Sequence, residues 1–329
     1  MQGQGDSNQT LDSILEARRS AVNGSGGKYP LFVYSYSSRG FSDLRERYAE
    51  TQDIPPLHLV SLYDLHYDLI DDIGGDSDSN PALGRFLDSG GYEVYPFVDS
   101  WGIDDPASAG PWTPDLYLEA AQIQARPGDV LVSLDNPMLP IVEQVRRAME
   151  IFDGIAVGDI RRDLLVHPNG AEPGELAQLI AAHAREIDII GVTEKDIGVP
   201  WFLGVAYICQ LRMALDATLD RYLPIHVFGC LDPRTLPYLF FAGADIFDGL
   251  SWMRYYFRDG HALYAKEIEF DTAPEILADP GQTRRALLEN NVAELERLRN
   301  DLQYSVLTGD TVPFRECLDS VLAISCMTK

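Results

Sequence analysis

The chain has 329 residues, 46% of them hydrophobic, enough to bury a large core as one big domain or two ordinary ones. It is strongly acidic, with 51 Asp and Glu against 26 Lys and Arg and a formal net charge of -25. No apolar run is long enough to span a membrane. The first residues, MQGQGDSNQT, lack the charged-then-apolar pattern of a signal peptide, so the expectation is a cytoplasmic protein with no membrane partner.

An acidic surface repels nucleic acid at long range. Either the protein binds no polyanion, or it works in a salty cell interior, where acidic surfaces stay soluble and the repulsion is screened. Lysine is confined to Lys28, Lys195, Lys266 and Lys329, which leans toward the second. Cys209, Cys230, Cys317 and Cys326 form no CxxC pair and read as reduced thiols.

In chain order, a short helix over Leu11–Val22 and the flexible stretch NGSGG make an N-terminal extension, residues 1–28. Eight strand-like runs follow, at 30–37, 57–65, 85–95, 129–135, 163–168, 188–194, 224–230 and 243–249. Several are β-branched and apolar on both faces, as buried parallel strands are. Helical stretches lie between them, among them Pro114–Ala125, Ile141–Phe152, Glu172–Arg185 and Pro200–Leu219. The last reads as capped and amphipathic. The alternation predicts an α/β fold, a (β/α)8 TIM barrel over residues 29–265, with an open doubly wound sheet as the alternative. No GxGxxG follows an early strand, which counts against a dinucleotide fold. Residues 266–329 read as a helical segment packed on the barrel: a surface helix pair over 272–304, then an apolar stretch around Val321–Ile324 that docks.

A TIM barrel carries its chemistry at the C-terminal ends of its strands. Those ends supply Asp88, Asp135, Glu194 and Asp248, together with Ser89, Gly90 and Gly91 after strand three, His167 and Asn169 after strand five, and Gly229 after strand seven. Four carboxylates at one mouth repel and desolvate poorly. Any one of them could instead cap the following helix. Gly90 and Gly91 let the backbone approach a ligand closely, or simply make a tight turn.

FLDSGGYEVY resembles the DSGG-aromatic motif of the tRNA-guanine transglycosylase superfamily, and GADIFDGLSWMRYYFRDG resembles its last-strand segment leading to an arginine-bearing loop. The resemblance covers roughly Pro30 to Tyr264 and is thin between the motifs. It implies base exchange: Asp248 attacks the anomeric carbon of a nucleotide, guanine leaves a covalent glycosyl-enzyme, and a 7-deazaguanine base enters, with Asp88 as general acid and base. A carboxylate nucleophile splits one hard displacement into two easier ones, and a second carboxyl in a different environment handles the proton.

By the same resemblance Asp135 reads the base edge, with Ser89, Gly90, Gly91, His167, Asn169, Gly191 and Glu194 around it and Tyr92 stacking on the base or packing in the core. Arg254 and Arg258 are placed as phosphate contacts, with pairing to Asp259 as the bland alternative. The chain departs from the family at Asn136-Pro137, at His167 and Asn169 in place of a Gln-Gly pair, and in the glycines of strand six. The family's CxCxxC-plus-His zinc motif is not found after Tyr264, so no metal or other cofactor is expected.

The leading expectation is a pentosyltransferase acting on a nucleic acid, DNA slightly ahead of tRNA, with a free 7-deazaguanine base as second substrate. A helper protein and a homodimer are compatible with it. A non-catalytic partner subunit of the same superfamily, a tRNA-guanine transglycosylase proper, and a hydrolase that removes a modified base stand as alternatives.

Overall fold

The computed structural model describes residues 10–70, 84–91, 110–264 and 280–327. Eight strands form a closed parallel barrel in sequence order: β1 Leu31–Tyr36, β2 His58–Ser61, β3 Phe86–Asp88, β4 Val130–Val132, β5 Arg161–Val166, β6 Ile189–Thr193, β7 Ile225–Phe228 and β8 Ile246–Gly249. β1 closes the ring against β8, with Val33 opposite Asp248. The eight runs read from hydrophobicity are these eight strands, and the open-sheet alternative is excluded. β3 is shorter than its run: it ends at Asp88, and Tyr92 lies outside the described residues.

Alternate residues of a strand point to opposite faces, and the buried clusters show which way each faces. Leu31, Val33, Leu59, Phe86, Val130, Val132, Leu165, Ile189, Phe228 and Ile246 pack together inside the barrel. Their neighbours Phe32, Tyr34, Val60, Leu87, Leu131, Leu164, Ile190, Val227 and Phe247 pack outward against the helices. Continuing the inward set by steps of two places Ser35, Asp88, Asp163, His167, Gly191, Thr193, His226 and Asp248 on the inner face. The barrel is oily at its floor and polar toward its mouth.

The described part of the N-terminal extension is a docked helix, Leu11–Gly24. Thr10 caps it, its side chain accepting from the Ser13 amide. Arg18 is buried under the barrel, where its guanidinium donates to Asp245 Oδ1 at 2.7 Å and to the Ala244 carbonyl at 2.9 Å. A buried arginine so paired is anchored, because leaving it unpaired costs several kcal/mol.

The stretch expected as a surface helix pair is, in its described part, one continuous helix, Pro280–Thr308. It buries Leu288, Val292, Leu295, Leu302 and Val306, a spacing of three, four and seven that lays one stripe on the barrel. The helix Arg315–Met327 follows and buries Leu318 and Val321. The helix Trp201–Thr218 begins after Pro200 with no side-chain cap, contrary to the capped start expected, and leaves Trp201, Phe202 and Leu203 largely exposed. Among the described residues no helix is long and apolar enough to cross a membrane.

Candidate active site

The inner-face register delivers two carboxyls to one end of the barrel. Asp88 ends β3 and Asp248 sits in the last turn of β8, both at C-terminal strand ends. Neither works as a helix cap. Asp248 Oδ2 accepts from Ser35 Oγ at 2.6 Å, and Oδ1 accepts from the Gly229 amide at 3.0 Å. His226 Nε2 stands 3.4 Å from Oδ1, an ion-pair contact rather than a made hydrogen bond. Hydrogen bonds from β1 and from the turn after β7 thus hold Asp248 in one orientation, with the His226 ring of β7 facing it.

Asp88 has the opposite environment. The Gly90 amide meets its carboxyl at a long 3.4 Å, and the backbone donors of Ser89 and Gly90 offset its burial only in part. Burial, then the charges of Asp135 and Asp248, push it up to about 7. A carboxyl so poised gives or takes a proton near neutral pH. Asp135 and Asp248 are thus each within electrostatic reach of Asp88.

Asp135, just past β4, is tied on both oxygens: Ser89 Oγ donates at 2.6 Å and His167 Nε2–H at 2.7 Å. The other ring nitrogen of His167 lies 2.5 Å from Asp196 Oδ2, which also accepts from Thr193 Oγ1 at 2.5 Å. Gln144 fixes the His167 backbone from both sides. Burial opposes a charge on His167, but the two carboxylates outweigh it and push the imidazole up to about 9. His167 therefore bonds to Asp135, the residue around which the resemblance placed it. A carboxylate holding two donors still has lone pairs for the N–H edge of a guanine-like base.

The glycines have a specific use. A Cβ on Gly91 would lie 2.1 Å from Asp135 Oδ1, so Gly91 permits close approach to the Asp135 carboxylate, while Gly90 packs against Tyr63 and Trp112. Gly191 on β6 makes room in the same way, for a Cβ there would come 2.5 Å from the Phe228 ring. Trp112 Nε1–H donates to the Ser89 carbonyl at 2.9 Å and anchors the loop.

Other expected residues are less central. Asn169 donates its amide to the Pro137 and Leu139 carbonyls, bracing the loop after β4. Glu194 opens a four-residue helix beside Cys230 and Asp232, and burial raises its carboxyl. Arg254 is exposed beside Gly40, its guanidinium 5.9 Å from the Phe41 ring centroid. Arg258, exposed at the end of a hairpin strand, has Nε 3.7 Å from Asp259 Oδ2, the pairing weighed as its alternative. Among the described residues no cluster of three or more His, Cys, Asp or Glu is arranged to hold a metal ion.

Sequence reading missed Ser35, Asp196, Asp163 and His226, and it noted Gly229 without giving it a task. Asp163 and His226 are fully buried. His226 Nδ1–H donates to Asp163 Oδ2 at 2.7 Å. Burial works against the charge, but Asp163 first and Asp248 after it push the imidazole up to about 9. The available signal was a charged residue inside each of two otherwise apolar parallel strands, DLLV and IHVF.

The chain is 32% identical over 152 residues to a curated protein, a tRNA-guanine(15) transglycosylase of Pyrobaculum aerophilum. The chain is similar to the tRNA-guanine transglycosylases. The match takes in 42% of this chain and 30% of the length of that transglycosylase. No family model matches the chain. The closed eight-stranded parallel barrel is shown by the strand pairing itself.

Proposed function

We propose that this barrel is a base-exchange glycosyltransferase that replaces guanine in a nucleic acid with a 7-deazaguanine base. The observation that carries the reading is the contrast between two carboxyls at one mouth. Asp248 accepts from Ser35 and Gly229 and faces the His226 ring, while Asp88 is pushed up to about 7 by burial and by its acidic neighbours. That is the division of labour a covalent displacement needs.

In the first step an Asp248 oxygen bonds to C1′ of the nucleotide. The C1′–N9 bond breaks, its electron pair goes to N9, and Asp88 supplies the proton to the departing guanine. In the second step N9 of the entering base bonds to C1′, the Asp248 ester oxygen leaves with its pair, and Asp88 takes the N9 proton. Asp135, held by Ser89 and His167, accepts from the amino edge of both bases. Arg254 contacts a phosphate of the polynucleotide.

The name of the Pyrobaculum relative supports tRNA as the polynucleotide; the departures from the family pattern motivate a duplex DNA arm. The test is incorporation of labelled guanine or a labelled 7-deazaguanine into tRNA or duplex DNA, at low and high salt, with denaturing gels to catch a covalent adduct. Exchange with an adduct lost in Asp248→Asn supports the reading. No incorporation into either polynucleotide at any salt, with the parent still binding one of them, makes the protein a binding subunit instead.

A further inference from the structure

The Asp163–His226 pair has no place in the two steps above, yet it is costly to keep. Both side chains are fully buried, Asp163 on β5 and His226 on β7. A buried ion pair seldom stabilises a fold better than the apolar residues it displaces. Its geometry is also incomplete. Asp163 Oδ1 and His226 Nε2 have no hydrogen-bond partner, although each is a buried polar atom.

The imidazole is held in a fully buried slot. Phe228 stacks on it with centroids 3.8 Å apart, and Phe86 meets it edge-on at 5.6 Å. Gly191 is its register partner on β6, where any side chain would strike Phe228. Among the described residues the titratable groups facing the ring are Asp163 at Nδ1, 2.7 Å away, and Asp248 at Nε2, 3.4 Å away. Asp88, on β3, acts on Asp248 in turn. The ring is therefore bolted to one carboxylate and aimed at the other, across a gap slightly too long for a hydrogen bond.

We propose that Asp163 and His226 form a buried relay that positions Asp248 and stabilises its carboxylate as it leaves the sugar, so that the pair accelerates release of the covalent intermediate rather than its formation. The inference rests on Asp248 being the nucleophile. While Asp248 is esterified, Nε2 faces no charge. As the C1′–O bond breaks, negative charge returns to Asp248 beside a fixed cation in a dry interior, where it counts for most. The same cation stabilises the free carboxylate before attack and so restrains the first step. An interaction that favours the ionised carboxylate must act in these opposite senses on the two half-reactions. His226 is a positioning residue, since it reaches the sugar only through Asp248.

The test compares the parent with His226→Gln, which keeps an amide able to donate to Asp163, and with Asp163→Asn, after thermal melts establish that both fold. During turnover the fraction of enzyme carrying a covalent nucleotide should rise in both variants. kcat and the KM for nucleic acid should fall together, by on the order of 10- to 100-fold. An independent readout is the 15N-histidine NMR titration of His226, whose loss of charge should move to lower pH in Asp248→Asn. An adduct fraction equal to the parent's, or a His226 titration indifferent to Asp248→Asn, overturns the relay. If the parent forms no adduct with any polynucleotide, the transglycosylase reading falls on that result, and the NMR titration alone decides whether His226 and Asp248 are coupled.

Discussion

His167 Nε2–H donates to Asp135 Oδ2 at 2.7 Å, while the opposite nitrogen of the ring faces Asp196 at 2.5 Å. An imidazole between two carboxylates keeps its charge at neutral pH and fixes the Asp135 plane. Replacing it by Gln leaves Asp135 with Ser89 alone. His167→Gln should raise the KM for the entering base by roughly tenfold, the worth of one charge-assisted hydrogen bond, with a smaller change in kcat. Initial rates against base concentration measure it.

Asp88 pushed up to about 7 has a stability consequence. The folded protein holds this proton to higher pH than the unfolded chain does. The associated stability is complete below the ordinary carboxylate range and is lost as pH rises through about 7. Asp88→Asn should abolish base exchange, melt like the parent near pH 4, and be more stable than the parent at pH 8, by on the order of 2 kcal/mol. Thermal melts at the two pH values read the sign.

Gly91→Ala puts a methyl group 2.1 Å from Asp135 Oδ1. Either the loop or the carboxylate must move. The expected result is destabilisation of about 1–3 kcal/mol together with loss of base affinity, measured by chemical denaturation and by base titration.

Arg18→Ala leaves Asp245 buried without its charged partner at the floor of the barrel. Stability should drop by about 3–5 kcal/mol, the cost of an uncompensated buried charge, while the KM for base is unchanged. Urea unfolding with parallel kinetics separates the two.

Arg254→Ala should weaken polynucleotide binding across sequences and reduce the salt slope of log Kd by about 1, the signature of one lost phosphate contact. Arg258→Ala should change the slope less, since Arg258 has Asp259 beside it. Binding titrations over a range of salt concentrations give both slopes.

The eight strands were legible because parallel strands buried on both faces must be apolar along their length, and eight such runs alternate with helical ones. Asp88 and Asp248 were legible because each ends such a run inside a recognisable motif. The helix Leu11–Gly24 was legible as a helix, but its docking was not, since Arg18 meets Asp245 only when residues 227 positions apart come together. His167 was visible at its strand end; its bond to Asp135 depends on neighbouring strands closing side by side.

Local pattern determined the strand count, favoured the closed barrel and put four acids at strand ends, because period and strand ends are properties of consecutive residues; the two motifs singled out Asp88 and Asp248 among them. Only the tertiary structure decided what each acid experiences. It buried Asp88 next to Asp135 and Asp248, gave Asp248 the donors of β1 and of the turn after β7, and set His226 between Asp163 and Asp248. Those environments depend on distances between strands far apart in the chain, and electrostatic free energy follows distance and burial rather than position in the sequence.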